Sequence, residues 1–311
     1  MKALNMIKPK ALTPGDTVRI IAPSSPFERE HLEKGVLWLK KMGLDVSYDE
    51  RIFEKTRYLA GSHKNRADEI NRAFADSRIR TIVCARGGYG AIGILPFLDL
   101  ENIKKNPKIF LGCSDVTVIL NHITSETGLI TFHGPMVASS RFAKGPTTMT
   151  ENFFMKALMS KEAVGEIRHD GIRVLKGGTG EGQMMGGCLS LLVTTLGTPY
   201  EIDTKNKILF IEDIGEQPYK IERMLTHLKM AAKLKRVKGI IFGDMEGCQP
   251  KDDKSFLLED VILDVFADIK VPILFGFPSG HSFDNITIPF GVNVKVDGDK
   301  GKISILENGV M

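Results

Sequence analysis

Short apolar runs alternate with segments of helical periodicity through the first half of the chain. Residues 17–22 (TVRIIA) form an apolar run that stops at a proline, and residues 28–42 then carry apolar side chains at helical spacing up to a glycine. The pattern repeats as predicted strands at 44–48, 81–85 and 108–113 and predicted helices at 66–80 and 115–124. Strands that alternate with helices are typical of a parallel, doubly wound α/β sheet.

The pattern changes between residues 139 and 187, which are rich in Gly, Thr and Lys and weak in periodicity. The core of this segment, KGGTGEGQMMGG at 176–187, has the composition of a linker. Beyond it, the pattern predicts strands at 207–211, 239–242 and 271–275, a helix at 219–232 and a hairpin at 292–306. We therefore predict an N-terminal α/β domain over 1–165, a linker over 166–186 and a C-terminal domain over 187–311.

Composition and charge favour an ordinary soluble protein. The chain has 311 residues, of which 42% are hydrophobic and 26% charged, and its formal net charge is +4. Its densest basic run, at 229–238, ends a helical pattern, and we interpret it as a solvated helix face. No apolar run has the length that a secretory signal or a membrane span requires, and the four cysteines are scattered. These features predict a cytoplasmic protein with neither a nucleic acid nor a membrane as its partner.

Ser114 lies where a predicted buried strand (KIFLGC) gives way to a predicted helix (DVTVILNHI). Ligands of open α/β sheets bind at the carboxyl ends of the strands, so this position suits a nucleophile. Serine is also a favoured N-cap residue of helices, and position alone leaves that alternative open. The surrounding sequence, GCSDV, departs from the G-x-S-x-G nucleophile elbow because Val116 takes the place of the second glycine.

A glycine-rich loop, RGGYG at 86–90, follows another predicted strand. Glycines at positions 88, 90 and 93 match the G-x-G-x-x-G fingerprint of dinucleotide-binding proteins, and Asp115 follows about twenty residues later. This match favours a nicotinamide-dependent oxidoreductase, although Pro96 interrupts the helix that the fingerprint requires. Alternatively, the backbone N–H groups of the loop line an oxyanion hole, or the loop is a plain tight turn.

An activated serine needs a base and a third group that orients the base. His281 follows a predicted strand and lies in a glycine-flanked loop, so we favour it, while His133 in TFHGPM remains open. Glu212 ends the apolar run KILFI and is followed by Asp213, which places one carboxylate of the pair at a strand end. The alternative for these two acids is a capping cluster ahead of the next helix.

Motifs spread over nearly the whole chain resemble those of the serine LD-carboxypeptidase family. This family comprises the muramoyl-tetrapeptide carboxypeptidases, with the microcin-immunity peptidases as relatives. The matching motifs are RGGYG (86–90), GCSDVT (112–117), HGPM (133–136), GGCLSLL (186–192), GTPY (197–200), IEDIGE (211–216), GH (280–281) and NITIPFG (285–291). Each motif alone is weak, but together, in the order of the family, they are specific.

The resemblance implies a flavodoxin-like N-terminal sheet domain, a smaller β-rich C-terminal domain and an active site in the cleft between them. It implies Ser114 as the nucleophile, His281 as its base and Glu212 as the residue that holds the imidazole. The backbone amides of Gly88 and Asp115 match the oxyanion hole of similar enzymes. It also implies a homodimer that needs neither a metal nor a cofactor. Its substrate would be a muropeptide tetrapeptide, which loses its C-terminal D-alanine during peptidoglycan recycling.

The chain departs from the family pattern at two cysteines. Cys113 stands where the family usually has an aromatic residue, and Cys188 stands where it commonly has the Asn of G-G-N-L. A thiol cannot reproduce the donors and acceptor of an amide, so a substrate contact at Cys188 would have altered chemistry. Arg86, beside the glycine loop, is our candidate anchor for the terminal carboxylate of the substrate.

Three other functions remain open. A microcin-immunity-type peptidase would act on aminoacyl or peptidyl nucleotides and would need an aromatic platform for the base. The only tryptophan, Trp38, is instead predicted to pack in the core. The second alternative is a nicotinamide-dependent oxidoreductase, which rests on the glycine loop. The third is a non-catalytic protein of the same two-domain shape, which would bind peptide without turnover.

Overall fold

The predicted alternation of strands and helices is present in the computed structural model, which describes residues 5–251 and 256–311. The strands are β1 Thr17–Ile21, β2 Asp45–Ser47, β3 Ile79–Cys84, β4 Ile109–Gly112, β5 Thr131–His133, β6 Gly165–Ile167, β7 Arg173–Lys176, β8 Thr179–Cys188, β9 Lys207–Ile214, β10 Gly239–Glu246, β11 Ile273–Phe275, β12 Ile288–Phe290, β13 Asn293–Asp297 and β14 Lys302–Ile305. The α-helices are α1 Arg29–Lys41, α2 His63–Ala75, α3 Leu100–Lys105, α4 Thr117–Thr127, α5 Thr148–Leu158, α6 Leu189–Thr194, α7 Pro218–Met230 and α8 Leu258–Val265. Short 3-10 helices span Glu50–Phe53, Ala91–Phe97, Ser114–Val116 and Phe142–Lys144.

The first sheet has the strand order β12-β5-β4-β3-β1-β2. Strands β1 to β5 are parallel, and their order 2-1-3-4-5 is that of flavodoxin-like proteins. The central strands β3 and β4 are nearly continuous apolar runs because such a sheet is buried on both faces, whereas the edge strand β2 is partly exposed. The strand order reverses between β1 and β3. Loops at the carboxyl ends of β1, β3 and β4 therefore meet where such folds bind ligands.

The second sheet has a parallel centre, β8-β9-β10-β11, with antiparallel strands at both edges. The hairpin predicted at 292–306 is present as β13 and β14, which extend the sheet beyond β8. Strand β12 leaves this domain and pairs antiparallel with β5 of the first sheet. The α/β class, with a flavodoxin-like first domain and a β-rich second domain, is confirmed.

Residues 166–186 differ from the predicted linker, because they contain β7 and most of β8. β8 lies inside the second sheet, between β13 and β9. Its glycines are required by the close approach of neighbouring backbone. A Cβ on Gly180 would lie 1.8 Å from the Lys238 carbonyl oxygen, and one on Gly186 would lie 1.9 Å from the Phe210 carbonyl oxygen. The glycine-rich composition is therefore that of a crowded strand. The predicted limits of the two domains, 1–165 and 187–311, remain a prediction.

Helix α1 illustrates how the helices pack. It buries the side of the helix that carries Leu32 and Leu39. Trp38 lies with its ring 5.0 Å from that of Phe142 and 4.9 Å from that of Phe154, both edge to face. The core role predicted for Trp38 is therefore confirmed. In the two described stretches of the chain, no helix combines the length and the apolar character needed to cross a membrane.

The crowding around β8 predicts that Gly186→Ala destabilises the fold more than Gly197→Ala. Both glycines have a positive φ, +143° and +76°, a strain that costs an alanine about 1–2 kcal/mol. Nothing lies within 4 Å of a Cβ on Gly197, whereas a Cβ on Gly186 overlaps the backbone of Phe210 and adds about 1–3 kcal/mol. Urea denaturation followed by circular dichroism measures both losses, and equal losses would contradict the close approach.

Candidate active site

Ser114 lies at the carboxyl end of β4, in the short 3-10 helix ahead of α4. Its φ is +58°, a left-handed conformation that is uncommon for a residue with a side chain and that resembles the strained turn of a nucleophile elbow. The turn is crowded: a Cβ on Gly87 would lie 2.8 Å from the Ser114 Cβ, and one on Gly112 would lie 2.8 Å from Val116 Cγ1. Gly112 thus provides the space that Val116 occupies in place of the second glycine of the elbow.

The helix-cap alternative does not explain Ser114. The 3-10 helix follows Cys113 and α4 follows Val116, and no side chain caps either N-terminus. Ser114 instead lines a cavity. Its position is therefore not a consequence of helix capping.

His281 and Glu212 are hydrogen-bonded to each other, with 2.7 Å between His281 Nδ1 and Glu212 Oε2. Glu212 lies on β9 and is fully buried, whereas 17% of the His281 side chain is exposed, in the loop after β11. Gly280 makes this contact possible. Its φ is +145°, and a Cβ there would lie 3.0 Å from Glu212 Oε2. The bond engages Nδ1 and leaves Nε2 of the imidazole for another partner.

The charges behind His281 raise its pKa. Burial alone lowers the pKa of an imidazole, but the charge of Glu212 and its hydrogen bond, with the charges of Asp213 and Asp244, outweigh burial here. The pKa of His281 therefore lies above its ordinary value. An imidazole in this environment is a stronger base for a hydroxyl proton than one that is merely buried.

The neighbouring acids Glu212 and Asp213 have separate partners, because successive side chains of a strand point to opposite faces. Glu212 meets His281. Asp213 accepts the backbone N–H groups of Ser190 and Ile214 at 2.8 Å each. Burial raises the pKa of Asp213 to about 6, although these hydrogen bonds oppose the shift. The capping role that we left open is not observed, because no side chain caps the following helix α7, and Asp213 accepts an N–H of α6 instead.

A cavity of about 410 Å³ brings most of the predicted site residues together. Ser114, His281, Gly88 and Arg86 all line it. Glu212 does not line the cavity, since it is fully buried behind His281. The loops of the first sheet and the loop after β11 thus form one site from both domains.

His133, the other candidate base, lies in the core. It is fully buried on β5, with its ring 5.1 Å from that of Phe210 and 5.8 Å from that of Phe290. Neither ring nitrogen has a hydrogen-bond partner among the described residues, and burial lowers the pKa of His133 to about 4. It is not among the residues that line the cavity. The structure therefore brings His281, and not His133, to the cavity of Ser114.

The surroundings of the glycine loop depart from the dinucleotide fingerprint. The loop leads into a 3-10 helix that contains Pro96, where the fingerprint requires an α-helix. Asp115, which would bind ribose, is buried and accepts the N–H of Ala91 at 2.8 Å. A Cβ on Gly93 would lie 2.7 Å from the ring of His63. The structure therefore lacks both features that a dinucleotide would need at this loop, the N-terminus of an α-helix and a free acidic side chain.

Across 5–251 and 256–311, no three His, Cys, Asp or Glu side chains are grouped as metal ligands.

The two predicted substrate contacts lie in different places. Arg86 lines the cavity, and its Nη1 donates to the Pro26 carbonyl at 2.9 Å. Cys188 does not line it: the residue is 3% exposed, and its sulfur lies 3.2 Å from Ser190 Oγ. Burial raises the pKa of the Cys188 thiol well above its usual range, as it does for Cys113. Arg86 thus lies on the cavity wall, whereas Cys188 does not.

Asn285 supports the site, although the sequence analysis assigned it no role beyond its motif. Its side chain donates to the Gly280 carbonyl at 2.9 Å and accepts the Gly280 N–H at 3.3 Å. Its backbone N–H donates to Thr150 Oγ1 at 3.0 Å, which ties the loop to α5. The motif NITIPFG contains this residue, but only the three-dimensional contact with the residue before His281 reveals its function.

Comparisons with known proteins agree with this architecture. Residues 18–134 match the family model of the LD-carboxypeptidase N-terminal domain, and residues 181–296 match that of the LD-carboxypeptidase C-terminal domain. A protein of Bacillus subtilis named probable murein peptide carboxypeptidase is 39% identical, over 97% of this chain and 95% of its own length.

Two solved structures share the whole fold. A muramoyltetrapeptide carboxypeptidase from Oxalobacter formigenes has a TM-score of 0.81 and 29% identity, over 93% of this chain and 97% of its own. MccF in complex with glutamyl sulfamoyl guanosine has a TM-score of 0.91 and 26% identity, over 98% of this chain and 99% of its own. Since both family models match in order and the Bacillus subtilis relative aligns almost from end to end, this chain belongs to the LD-carboxypeptidase family of serine peptidases.

Proposed function

We propose that this enzyme removes the C-terminal D-alanine from the L,D-peptide bond of muropeptide tetrapeptides, with Ser114, His281 and Glu212 as its catalytic triad. The observation that carries the proposal is the 2.7 Å bond between His281 and the fully buried Glu212, on the wall of the cavity that Ser114 also lines. The names of the Bacillus subtilis and Oxalobacter formigenes relatives support a murein peptide as the substrate.

The proposed chemistry is acyl transfer. Ser114 Oγ attacks the carbonyl carbon that precedes D-alanine, and its proton passes to Nε2 of His281, because Nδ1 is engaged by Glu212. The C–N bond then breaks, and the D-alanine amine takes the proton from His281. In the second half, His281 takes a proton from water, the hydroxide attacks the ester, and Ser114 recovers its proton. Glu212 stabilises the imidazolium in both halves.

The backbone amides of Gly88 and Asp115 are the proposed oxyanion hole. Gly88 lines the cavity, and its φ of +106° is a conformation that favours glycine. Asp115 directly follows the nucleophile, as one oxyanion donor does in the nucleophile elbow. Each such donor contributes about 3–4 kcal/mol to stabilisation of the tetrahedral intermediate.

Exopeptidase specificity requires a group that binds the terminal carboxylate of the substrate. Arg86 is the proposed group, since the residue lines the cavity and its guanidinium donates one hydrogen bond to Pro26. A charge-assisted hydrogen bond of this type contributes about 1.5–3 kcal/mol. This contact would place the scissile carbonyl one residue away, near Ser114.

The family resemblance also supports a cytoplasmic homodimer that acts without nucleic acid. The four cysteines are all buried free thiols, as expected in a reducing compartment. Light scattering on the purified protein measures the oligomeric state directly.

A peptidase of aminoacyl or peptidyl nucleotides is the second candidate, favoured by one observation. Phe283 lines the cavity and is 49% exposed, so an aromatic platform exists although Trp38 packs against the core. The close match to MccF with a bound sulfamoyl nucleoside adds support. Comparing hydrolysis of a muropeptide tetrapeptide with hydrolysis of a glutamyl sulfamoyl nucleoside separates the two candidates.

If the triad acts as one unit, Ser114→Ala and His281→Ala should lose turnover on the order of 10⁶-fold each, and the double variant should be no worse. Glu212→Gln should lose less, on the order of 10⁴-fold, because it orients the base and does not transfer the proton. D-alanine release from the tetrapeptide measures the rates, with exposed His227→Ala on α7 as the matched control. An active Ser114→Ala enzyme would exclude the triad, and peptide binding without turnover in the wild type would indicate a non-catalytic protein.

The pH profile should depend on Glu212. His281 must be neutral to accept a proton, so kcat/KM falls as the pH drops through the pKa of His281. Glu212 raises that pKa, and burial lowers it. In Glu212→Gln the acid limb of the residual activity should therefore move to lower pH, whereas Glu216→Gln should leave it unchanged. An acid limb that stays in place in Glu212→Gln would argue against His281 as the base.

Amidation of the terminal carboxylate should lower kcat/KM of the wild-type enzyme by about tenfold or more. In Arg86→Gln, acid and amide substrates should be hydrolysed at similar rates, because the charge that distinguishes them is gone. Arg141→Gln is the matched control, since Arg141 also lines the cavity but is ion-paired with Glu246. Discrimination that survives in Arg86→Gln and disappears in Arg141→Gln would move the anchor to Arg141.

A further inference from the structure

The side chain of Asp115 faces away from the proposed chemistry, toward the glycine loop. Only 2% of the residue is exposed, and its Oδ2 accepts the backbone N–H of Ala91 at 2.8 Å. Ala91 directly follows the loop 86–90, which carries Gly88. One residue thus supplies a proposed oxyanion donor with its backbone and holds the segment of the other donor with its side chain.

Several other contacts also fasten the glycine loop, among them the bond from Arg86 to Pro26 and the bonds of Ser25 and Arg66. Ser25 Oγ accepts the N–H of Tyr89 at 3.0 Å, and a Cβ on Gly88 would lie 2.5 Å from that oxygen. The buried guanidinium of Arg66 donates from Nη1 to the Gly90 carbonyl at 3.0 Å. Both contacts fix the loop to β1 or α2. Asp115 alone among these groups is covalently joined to Ser114, so only its carboxylate relates the loop directly to the nucleophile.

We propose that Asp115 is a positioning residue whose carboxylate sets the distance between the two amides of the oxyanion hole. This inference rests on the proposed function. The two donors lie on separate loops, after β3 and after β4. A fixed bond between these loops keeps both N–H groups aimed at one point without reorganisation during the reaction.

A carboxylate suits this role better than an amide. Burial raises the pKa of Asp115, while the neighbouring Ser24 hydroxyl, the N–H groups of Ala91 and Gly90 and the charge of Arg66 oppose that shift. The carboxylate that accepts the Ala91 N–H is nearly inaccessible to solvent. An ionised carboxylate presents only acceptors, whereas an Asn in the same place turns an NH₂ group toward part of this site.

The test compares Asp115→Asn and Asp115→Ala with the wild type. We expect kcat to fall by up to about 10²-fold, as for a reacting group misplaced by about 1 Å, while KM stays close to its wild-type value. A peptidyl boronate, which forms a tetrahedral adduct with the serine, should bind more weakly by the same factor. Binding of the product D-alanine should not change, because D-alanine contains no part of the carbonyl that becomes the oxyanion.

Asp99→Ala provides the matched control. Asp99 also accepts a backbone N–H, that of Asn102 at 3.0 Å, but it caps α3 and does not line the cavity. The Asp99→Ala substitution should lower the melting temperature and leave kcat and boronate affinity unchanged. If Asp115→Ala does not fold, the isosteric Asp115→Asn supplies the same readouts.

Wild-type kcat and boronate affinity in Asp115→Asn and Asp115→Ala would overturn the inference, as would a loss confined to melting temperature. A parallel loss of kcat and boronate affinity, with unchanged product binding, would support it. An active Ser114→Ala enzyme would instead overturn the proposed function, whatever the Asp115 variants do. The two failures are therefore distinguishable.

Discussion

The buried bond between Glu212 and His281 is the constraint on which the site depends. A carboxylate with no exposed surface is costly unless a partner compensates it, and one of its oxygens, Oε1, has no hydrogen-bond partner among the described residues. The imidazole is thus the main compensation for Glu212. The loop that carries His281 must come close enough to provide it, which requires Gly280 to have no side chain and Asn285 to hold both backbone groups of Gly280.

The contact between α4 and β8 links this buried bond to Ser114, the proposed nucleophile. Thr117, in the first turn of α4, accepts the N–H of Cys188 at 3.1 Å, and a Cβ on Gly187 would lie 2.6 Å from its hydroxyl. Asn121, one turn later, donates to the Gly186 carbonyl at 2.7 Å. Cys188 pairs with Glu212 in the neighbouring strand. Hydrogen bonds from α4 to β8, and the pairing of β8 with β9, therefore connect the helix after Ser114 to the strand of Glu212. These contacts fix the position of one domain relative to the other at the site.

This junction also explains where sequence analysis succeeded and where it failed. Apolar periodicity was sufficient for the first four strands of the parallel sheet, since β3 and β4 are almost entirely buried local runs. It failed at β8, because the glycines there are required by the close approach of the Phe210 and Lys238 carbonyls, and these residues are distant in sequence. The choice between His133 and His281 depended in the same way on long-range pairing. His133 is enclosed because β12 pairs with β5 beside it, and no local pattern in either segment predicts that pairing.

Two of the three proposed triad residues are followed by an acid, and these two acids have a common physical role. Ser114 is followed by Asp115, and Glu212 by Asp213; both acids are buried and accept backbone N–H groups of another segment. In each pair, the proposed triad residue and the acid that accepts backbone N–H groups are thus consecutive in the chain but have different surroundings. The φ of +58° at Ser114 is a conformation that costs about 1–3 kcal/mol and persists only where the surroundings over-determine it. In its proposed role, the carboxylate of Asp115 would supply that determination, because it belongs to the residue next to Ser114 and accepts the Ala91 N–H.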